Sequence, residues 1–353
     1  MASENFFTGL KVIDLSTVLA GPSVGSFFAE MGADVFKVES PQGDVTRTWF
    51  AHGEDTSSTS AYYNAVNHNK SVSQIDLLNE RDKFLNLVSD ADILISNFKF
   101  GDDEKFQITE EIIRSINPKI IVAKIQGFEI DAKRVAYDVV SQAETGFMAI
   151  NGEKDSSPLK MPVAFMDVLA AHQLKEGILC ALLHRYKTGK GSTVSCSLEM
   201  AGIASLMNQG SIFLKSGIIP RASGSLHPTI CPYGEILCFQ DGIQIVLAAG
   251  SNRQFEDLCQ VLGLNDLPVN PVFQNNVSRV AHRHELIEKM QNRASQLEGK
   301  TIVPLLHDRL VPFGEIKKVN EVMEQAFKIG AVQKDKFTNT PFIKSVAFQI
   351  KFD

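Results

Sequence analysis

The sequence predicts an α/β protein with a large domain built on a mostly parallel sheet and a second, smaller α+β domain. Three observations carry this. Short apolar runs alternate with helical patterns from Leu10 to Lys215, a Gly-, Pro- and Ser-rich stretch at Ser216–Pro232 breaks the alternation, and Asp241-Gly242 beyond it marks a hairpin.

In chain order, Leu10–Leu15 is a strand, Val24–Met31 a helix and Val35–Val38 a second strand, a βαβ unit punctuated by Gly21-Pro22 and Gly32. Ser71–Leu77, Glu80–Val88 and Ile93–Ser96 repeat the pattern, followed by a helix at Glu110–Ile116 and a β-branched strand at Ile120–Ile125. Asp167–Thr188 is the clearest helix, with Ala171, Leu174, Ile178 and Leu182 on one stripe and Gly189-Lys190-Gly191 ending it. A strand at Thr193–Leu198 and a helix at Glu199–Lys215 complete the large domain. The smaller domain has strands at Ile236–Phe239 and Ile243–Leu247 and helices at Asn252–Leu262, His284–Leu297 and Thr301–Arg309. The expected limits are 1–215 completed by 320–353 for the large domain, 216–232 for the linker and 233–319 for the small domain.

A chain of 353 residues is long for a single core, which favours two domains with a cleft. A hydrophobic content of 44% and a charged content of 22% are those of a globular protein. The net charge of −6 and pI of about 5.8 oppose a nucleic-acid partner, which needs a concentrated basic face. Cys180, Cys196, Cys231, Cys238 and Cys259 are odd in number, lack a C-x-x-C pair and sit among apolar residues. They read as buried free thiols in a reducing compartment. The first residues lack a basic segment followed by an apolar one, and no apolar run reaches bilayer length, so a cytoplasmic protein without a membrane partner is expected.

Leu19–Gly25 opens a helix after a strand and leads to Glu39, the layout of a nucleotide-binding turn. G-x-G-x-x-G is absent, however, and Pro22 removes one amide, which favours an ordinary βα turn. Asn67-His68-Asn69-Lys70 reads as a polar turn, and Asp167 as the N-cap of the long helix. His282 and His284 lack a third ligand, so no metal is expected.

Taken together, the pieces say more. Gly9 to Ser16, Leu19-Ala20-Gly21-Pro22, Met31 to Glu39 and Gly43-Asp44-Val45-Thr46-Arg47 run in one order. They are followed by Asn67 to Ser71, Asp76-Leu77, Ala91 to Phe98, Asn117-Pro118, Tyr137-Asp138, Gln142-Ala143 and Gly146-Phe147-Met148. Met166 to Ala170, Thr188 to Gly191, His227-Pro228, Pro232-Tyr233 and Asp241-Gly242 complete the series. Over about residues 8 to 325 this series resembles the family III coenzyme A transferases, the superfamily of formyl-CoA transferase, carnitine CoA-transferase and α-methylacyl-CoA racemase.

The resemblance implies a Rossmann-like large domain and an interlocked homodimer. It also implies transfer of CoA from an acyl-CoA to a small carboxylic acid through aspartyl anhydride and thioester intermediates, with CoA as substrate and no metal. Asp167 matches the family's nucleophile and Tyr137 its active-site tyrosine. Leu19, Ala20 and Gly21 match the loop at the substrate end, and Asn97, Phe98 and Gly101 match a segment whose backbone approaches CoA. Lys105, Arg47 and Lys70 are candidates for its phosphates. Two other readings compete: an α-methylacyl-CoA racemase, whose histidine is replaced by Tyr137 here, and a non-catalytic CoA-binding dimer. The chain departs from the family at Gly127–Asp131, which is shortened. It departs also at Ser40-Pro41, where some members carry a basic residue, at Ala248–Asn252, where formyl-CoA transferases have a glycine run, and in an earlier end at Phe352-Asp353.

Overall fold

The computed structural model describes residues 6–131 and 133–351; Met1, Phe352, Asp353 and the termini of the expected large domain lie outside the described residues. The chain divides into two compact units. The first takes in the described residues up to Ala149, Leu159–Pro220 and the segment from Ala326 onward; the second takes in Ile150–Pro158 and Arg221–Gln325. Ile150–Pro158 thus leaves the large unit, in whose sequence range it falls.

In chain order the first unit is β1 (Lys11–Asp14), α1 (Ala20–Glu30), β2 (Asp34–Glu39), α2 (Ala61–Asn67), β3 (Ser71–Gln74), α3 (Arg81–Val88) and β4 (Ile93–Ser96). It continues with α4 (Asp102–Lys105), α5 (Glu110–Ile116), β5 (Ile121–Gln126), α6 (Asp138–Glu144), α7 (Phe147–Ile150), α8 (Phe165–Thr188), β6 (Ser192–Ser197), α9 (Leu198–Ser205) and α10 (Met207–Ser216). The six strands form one parallel sheet in the order β3-β2-β1-β4-β5-β6.

Both faces of the sheet are buried, as the unbroken apolar runs predict. Val12, Ile93, Ile95, Ile121 and Ala123 pack on one side with Val24 and Phe28 of α1 and Ala170, Leu174 and Ile178 of α8. Ile13, Leu94 and Val122, alternating with them along the strands, pack on the other with Phe84 and Val88 of α3 and Ile113 of α5. Gly189 ends α8 at φ 71°, a conformation that favours glycine.

One predicted helix is divided. The periodicity predicts one helix over Glu199–Lys215, but Leu206 divides α9 from α10 and Met207 has φ 44°. An apolar pattern that continues through the break conceals it. Five short helices (α2, α4, α6, α7 and one in the second unit) are absent from the pattern because each has too few turns to display a period.

The second unit holds β7 (Tyr233–Cys238), β8 (Gln244–Ala248), α11 (Asn252–Leu262), α12 (Asn276–Ala281), α13 (Arg283–Ala294), α14 (Gly299–Asp308) and β9 (Phe313–Glu315). Its antiparallel sheet, in the order β7-β8-β9, is covered by Phe255, Leu258, Leu286, Met290 and Leu306, all fully buried. The Asp241 carboxylate at the hairpin accepts the Gly299 and Lys300 N–H groups at 2.9 and 3.0 Å and so fastens the start of α14. Helix α15 (Val319–Lys328) runs through the division between the units, and the hairpin β10 (Val332–Lys334)–β11 (Pro341–Ile343) belongs to the first. That hairpin is tied down by Asp335, which accepts the Asn69 N–H, and by Phe342, stacked 3.8 Å from the His68 ring. Cys231 and Cys259 are buried, but Cys180 is exposed, contrary to a uniform set of buried thiols. Among the described residues no helix is long and apolar enough to cross a membrane.

Beneath the sheet's upper edge lies a buried ionic network. The Lys70 ammonium donates to Asp14 Oδ2 at 2.7 Å, to the Pro22 and Val66 carbonyls at 2.8 and 2.7 Å, and to Asn67 Oδ1 at 3.1 Å. Lys37 donates to the Ser16 carbonyl at 2.7 Å and to Asp44 at 3.2 Å. Burial alone would raise the Asp14 carboxyl, yet Lys70 and Lys37 beside it bring it down to about 2. Lys70→Met should therefore destabilise the protein by about 3–5 kcal/mol in chemical denaturation, because Asp14 is left buried and charged. A loss below about 1 kcal/mol would mean that the network does not hold this edge.

Candidate active site

Strand order reverses between β1 and β4: the chain leaves β1 toward β2 on one side and β4 toward β5 on the other. At such a switch point the connections diverge and leave a crevice beyond the carboxyl ends of the strands. A cleft of about 680 Å³ opens there. It is lined by Thr17–Ala20 after β1, Asn97–Gly101 after β4, Gln126 and Gly127 after β5, and by Tyr137, Asp138 and Asp167.

The loop after β1 is held in a strained shape. Val18 has φ 72°, a left-handed backbone that a β-branched residue seldom takes. The Asn97 carboxamide fixes it from both ends: its oxygen accepts the Thr17 N–H at 2.9 Å and its nitrogen donates to the Thr17 carbonyl at 2.9 Å. Asn97 thus lies in the cleft with its side chain already spent on this loop. Gly21 does not line the cleft. A Cβ there would stand 2.3 Å from Ser16, so its lack of a side chain serves close packing of α1 on the loop.

Asp167 is not the N-cap expected from the sequence. Helix α8 begins at Phe165 behind Ala164, which supplies no side-chain cap, and Asp167 is the third helical residue. The cap comes from elsewhere: Asp138 Oδ1 accepts the Met166 N–H at 2.7 Å. Asp167 is therefore free to face the cleft, where it is 7% exposed. Burial, and then the charge of Asp138, push its carboxyl up to about 7. Tyr62 on α2 lies near enough to feel both charges; burial first, and then Asp167 and Asp138, raise its phenol to about 12. Tyr137, the residue before α6, is 54% exposed on the cleft wall rather than buried as a core aromatic.

Leu19, Ala20, Asn97, Phe98, Gly101, Tyr137 and Asp167 are thus brought together. Arg47, Lys105 and Lys70 are not. Arg47 forms a two-point ion pair with Glu39 at 2.7 and 2.9 Å and donates to Tyr63 Oη at 2.6 Å. Lys105 is exposed, with its ammonium over the Phe106 ring, and Lys70 is consumed by the buried network. Lys99 and Lys133 are exposed basic residues on the cleft instead, the latter 5.4 Å from the Phe100 ring centroid. No local pattern marks either lysine. Tyr62 is equally silent, because the helix that carries it is too short to read.

Residues 7–353 match the family model described as CoA-transferase family III. The chain belongs to family III of the CoA-transferases. This transferase is similar to the succinate–glutarate CoA-transferase of Agrobacterium fabrum, 36% identical over 89% of this chain and 81% of that one. It is similar also to the human succinyl-CoA:glutarate CoA-transferase, 32% identical over 90% of this chain and 73% of the other. Its fold superimposes on a CaiB/BaiF family protein from Brucella suis with a TM-score of 0.86 at 34% identity, covering 97% and 92% of the two chains.

The state of Asp167 has a measurable consequence. The native carboxyl near 7 keeps a proton that the unfolded transferase gives up near 3.8, so this group's contribution to stability is present at low pH and lost as the pH rises between those values. Asp167→Asn removes the charge. Its melting temperature relative to the parent should be higher near pH 8 than near pH 4, a gain on the order of a few kcal/mol across the window. The same difference at both pH values would mean that Asp167 titrates normally.

Proposed function

We propose that this transferase moves coenzyme A from an acyl-CoA donor to a carboxylic acid acceptor with Asp167 as the covalent nucleophile. The observation that carries the reading is a nearly buried carboxylate facing a cleft, with no cation among its principal influences. A desolvated carboxylate is a stronger nucleophile once ionised, since it has less hydration to shed.

Asp167 attacks the thioester carbonyl to form a mixed anhydride and expels CoA thiolate. The thiolate attacks the aspartyl carbonyl, giving an aspartyl-CoA thioester and releasing the donor acid with the bridging oxygen. The acceptor carboxylate then attacks that thioester, and the returning thiolate takes its acyl group, restoring Asp167. Each step exchanges one acyl bond for another, so no ATP is needed. Tyr137 stands on the cleft wall where its phenol can donate to a developing oxyanion.

Relatives named for succinyl-CoA, glutarate and mesaconate support succinyl-CoA as donor and a small dicarboxylic acid as acceptor. The CoA phosphates would lie against Lys99 and Lys133. Replacing both by alanine should weaken CoA binding about tenfold or more and flatten its salt dependence. If Arg47→Ala with Lys105→Ala does so instead, the phosphates lie elsewhere.

With succinyl-CoA present and acceptor absent, intact-protein mass spectrometry should detect a CoA adduct that hydroxylamine converts to a hydroxamate at Asp167. Asp167→Asn should form none while still binding CoA. Exchange of an α-hydrogen with solvent and no adduct would mark a racemase.

The transferase would act as an interlocked homodimer. Met200, Ile203, Met207, Leu214, Ile218 and Ile219 along and just after α9 and α10 are between 48% and 85% exposed, apolar side chains that a second subunit would cover. Sedimentation should give a dimer that dissociates only on unfolding; a stable folded monomer at low concentration would contradict it.

A further inference from the structure

A helix that carries a nucleophile in its first turn must have that turn fixed, and α8 brings no cap of its own. Ala164 at the N-cap offers no side-chain oxygen, and the segment before it, from Leu159, has no regular structure. The missing partner comes from α6. Asp138 Oδ1 accepts the Met166 N–H at 2.7 Å, while Asp138 Oδ2 accepts from Gln142 Nε2 at 2.6 Å. The other end of the Gln142 carboxamide accepts the Met161 N–H at 2.7 Å. Gln142 is fully buried, so these bonds are shielded from competing water.

We infer that Asp138 is a positioning residue for the transfer reaction: with Gln142 it clamps the entry to α8 at Met161 and Met166 and so holds the Asp167 carboxylate in the cleft. The inference rests on the reading of Asp167 as nucleophile. The clamp has an electrostatic side. Burial, and then the charge of Asp138 beside it, raise the Asp167 carboxyl to about 7, so that the nucleophile is only partly ionised in the empty enzyme near neutral pH. The other titratable group facing the pair is Tyr62 on α2, which stays neutral throughout. One residue thereby supplies the geometry of the nucleophile and, after burial, contributes to its pH setting.

Two variants separate these roles, with the pH profile of Asp167–CoA adduct formation from succinyl-CoA as readout. Asp138→Ala removes cap and charge, and should slow adduct formation about a hundredfold at every pH, because a slightly misplaced nucleophile loses that much. Asp138→Asn keeps an acceptor for the Met166 N–H and removes the charge together with the acceptor for Gln142 Nε2. It should retain the adduct within about threefold of the parent near pH 8 while moving the midpoint of the profile down by about one pH unit or more. Wild-type rates and an unmoved midpoint in Asp138→Asn, or unimpaired adduct formation in Asp138→Ala, would overturn the inference. Absence of any adduct in the parent protein would instead overturn the nucleophile reading, so the two failures are distinct.

Discussion

The constraint on which the cleft depends is the buried ammonium of Lys70. Its four partners come from three places: the end of β1, the first turn of α1 and, with two groups, the last turn of α2. An uncompensated charge at this depth is costly enough that these elements cannot separate without leaving Asp14 or Lys70 unpaired. The loop between β1 and α1 is thereby anchored at both ends, at Asp14 and at Pro22. Lys37 adds a third hold through the Ser16 carbonyl. What is left of the loop, Thr17 to Leu19, then has a narrow choice of paths, and Asn97 selects the one in which Val18 bears a positive φ. Two of the cleft's walls, after β1 and after β4, are joined by that one carboxamide.

The floor of the cleft is organised by the opposite situation, two carboxylates in proximity with no cation between them. Asp138 has its charge satisfied by a backbone N–H and an amide side chain, while Asp167 is left to burial and repulsion. Burial, and then the charge of Asp138, bring Asp167 to titrate near neutrality. A carboxylate in this environment is poorly hydrated once ionised, which suits the acyl exchange proposed for it.

Much of the first unit was legible because a parallel sheet buried on both faces leaves unbroken apolar runs. Ile93–Ser96, Glu110–Ile116 and Asn252–Leu262 are found at the predicted residues. Interactions between segments distant in sequence were not legible. Asp167 reads as a helix cap from its neighbours, yet the cap is Asp138, whose contact with Met166 spans 28 residues. Arg47 reads as a free cation, but the turn that follows β2 folds it onto Glu39. Lys70 reads as part of a polar turn, although its four acceptors make it one of the most buried charges in the protein. The role proposed for Asp167 came from ordered motif resemblance; the contact of Asp138 with Met166 and the proximity of Tyr62 required the packing.

In the proposed mechanism the Asp167 carboxylate is consumed and rebuilt in each turnover, and its oxygens record this. When the acceptor acid carries ¹⁸O in its carboxylate, attack on the aspartyl thioester followed by return of the thiolate leaves one acceptor oxygen on Asp167. After turnover with succinyl-CoA and labelled glutarate, mass spectrometry of the peptide containing Asp167 should show ¹⁸O in that side chain, with the peptide containing Asp138 unlabelled. Transfer that proceeds at full rate with no label at Asp167 would contradict the account.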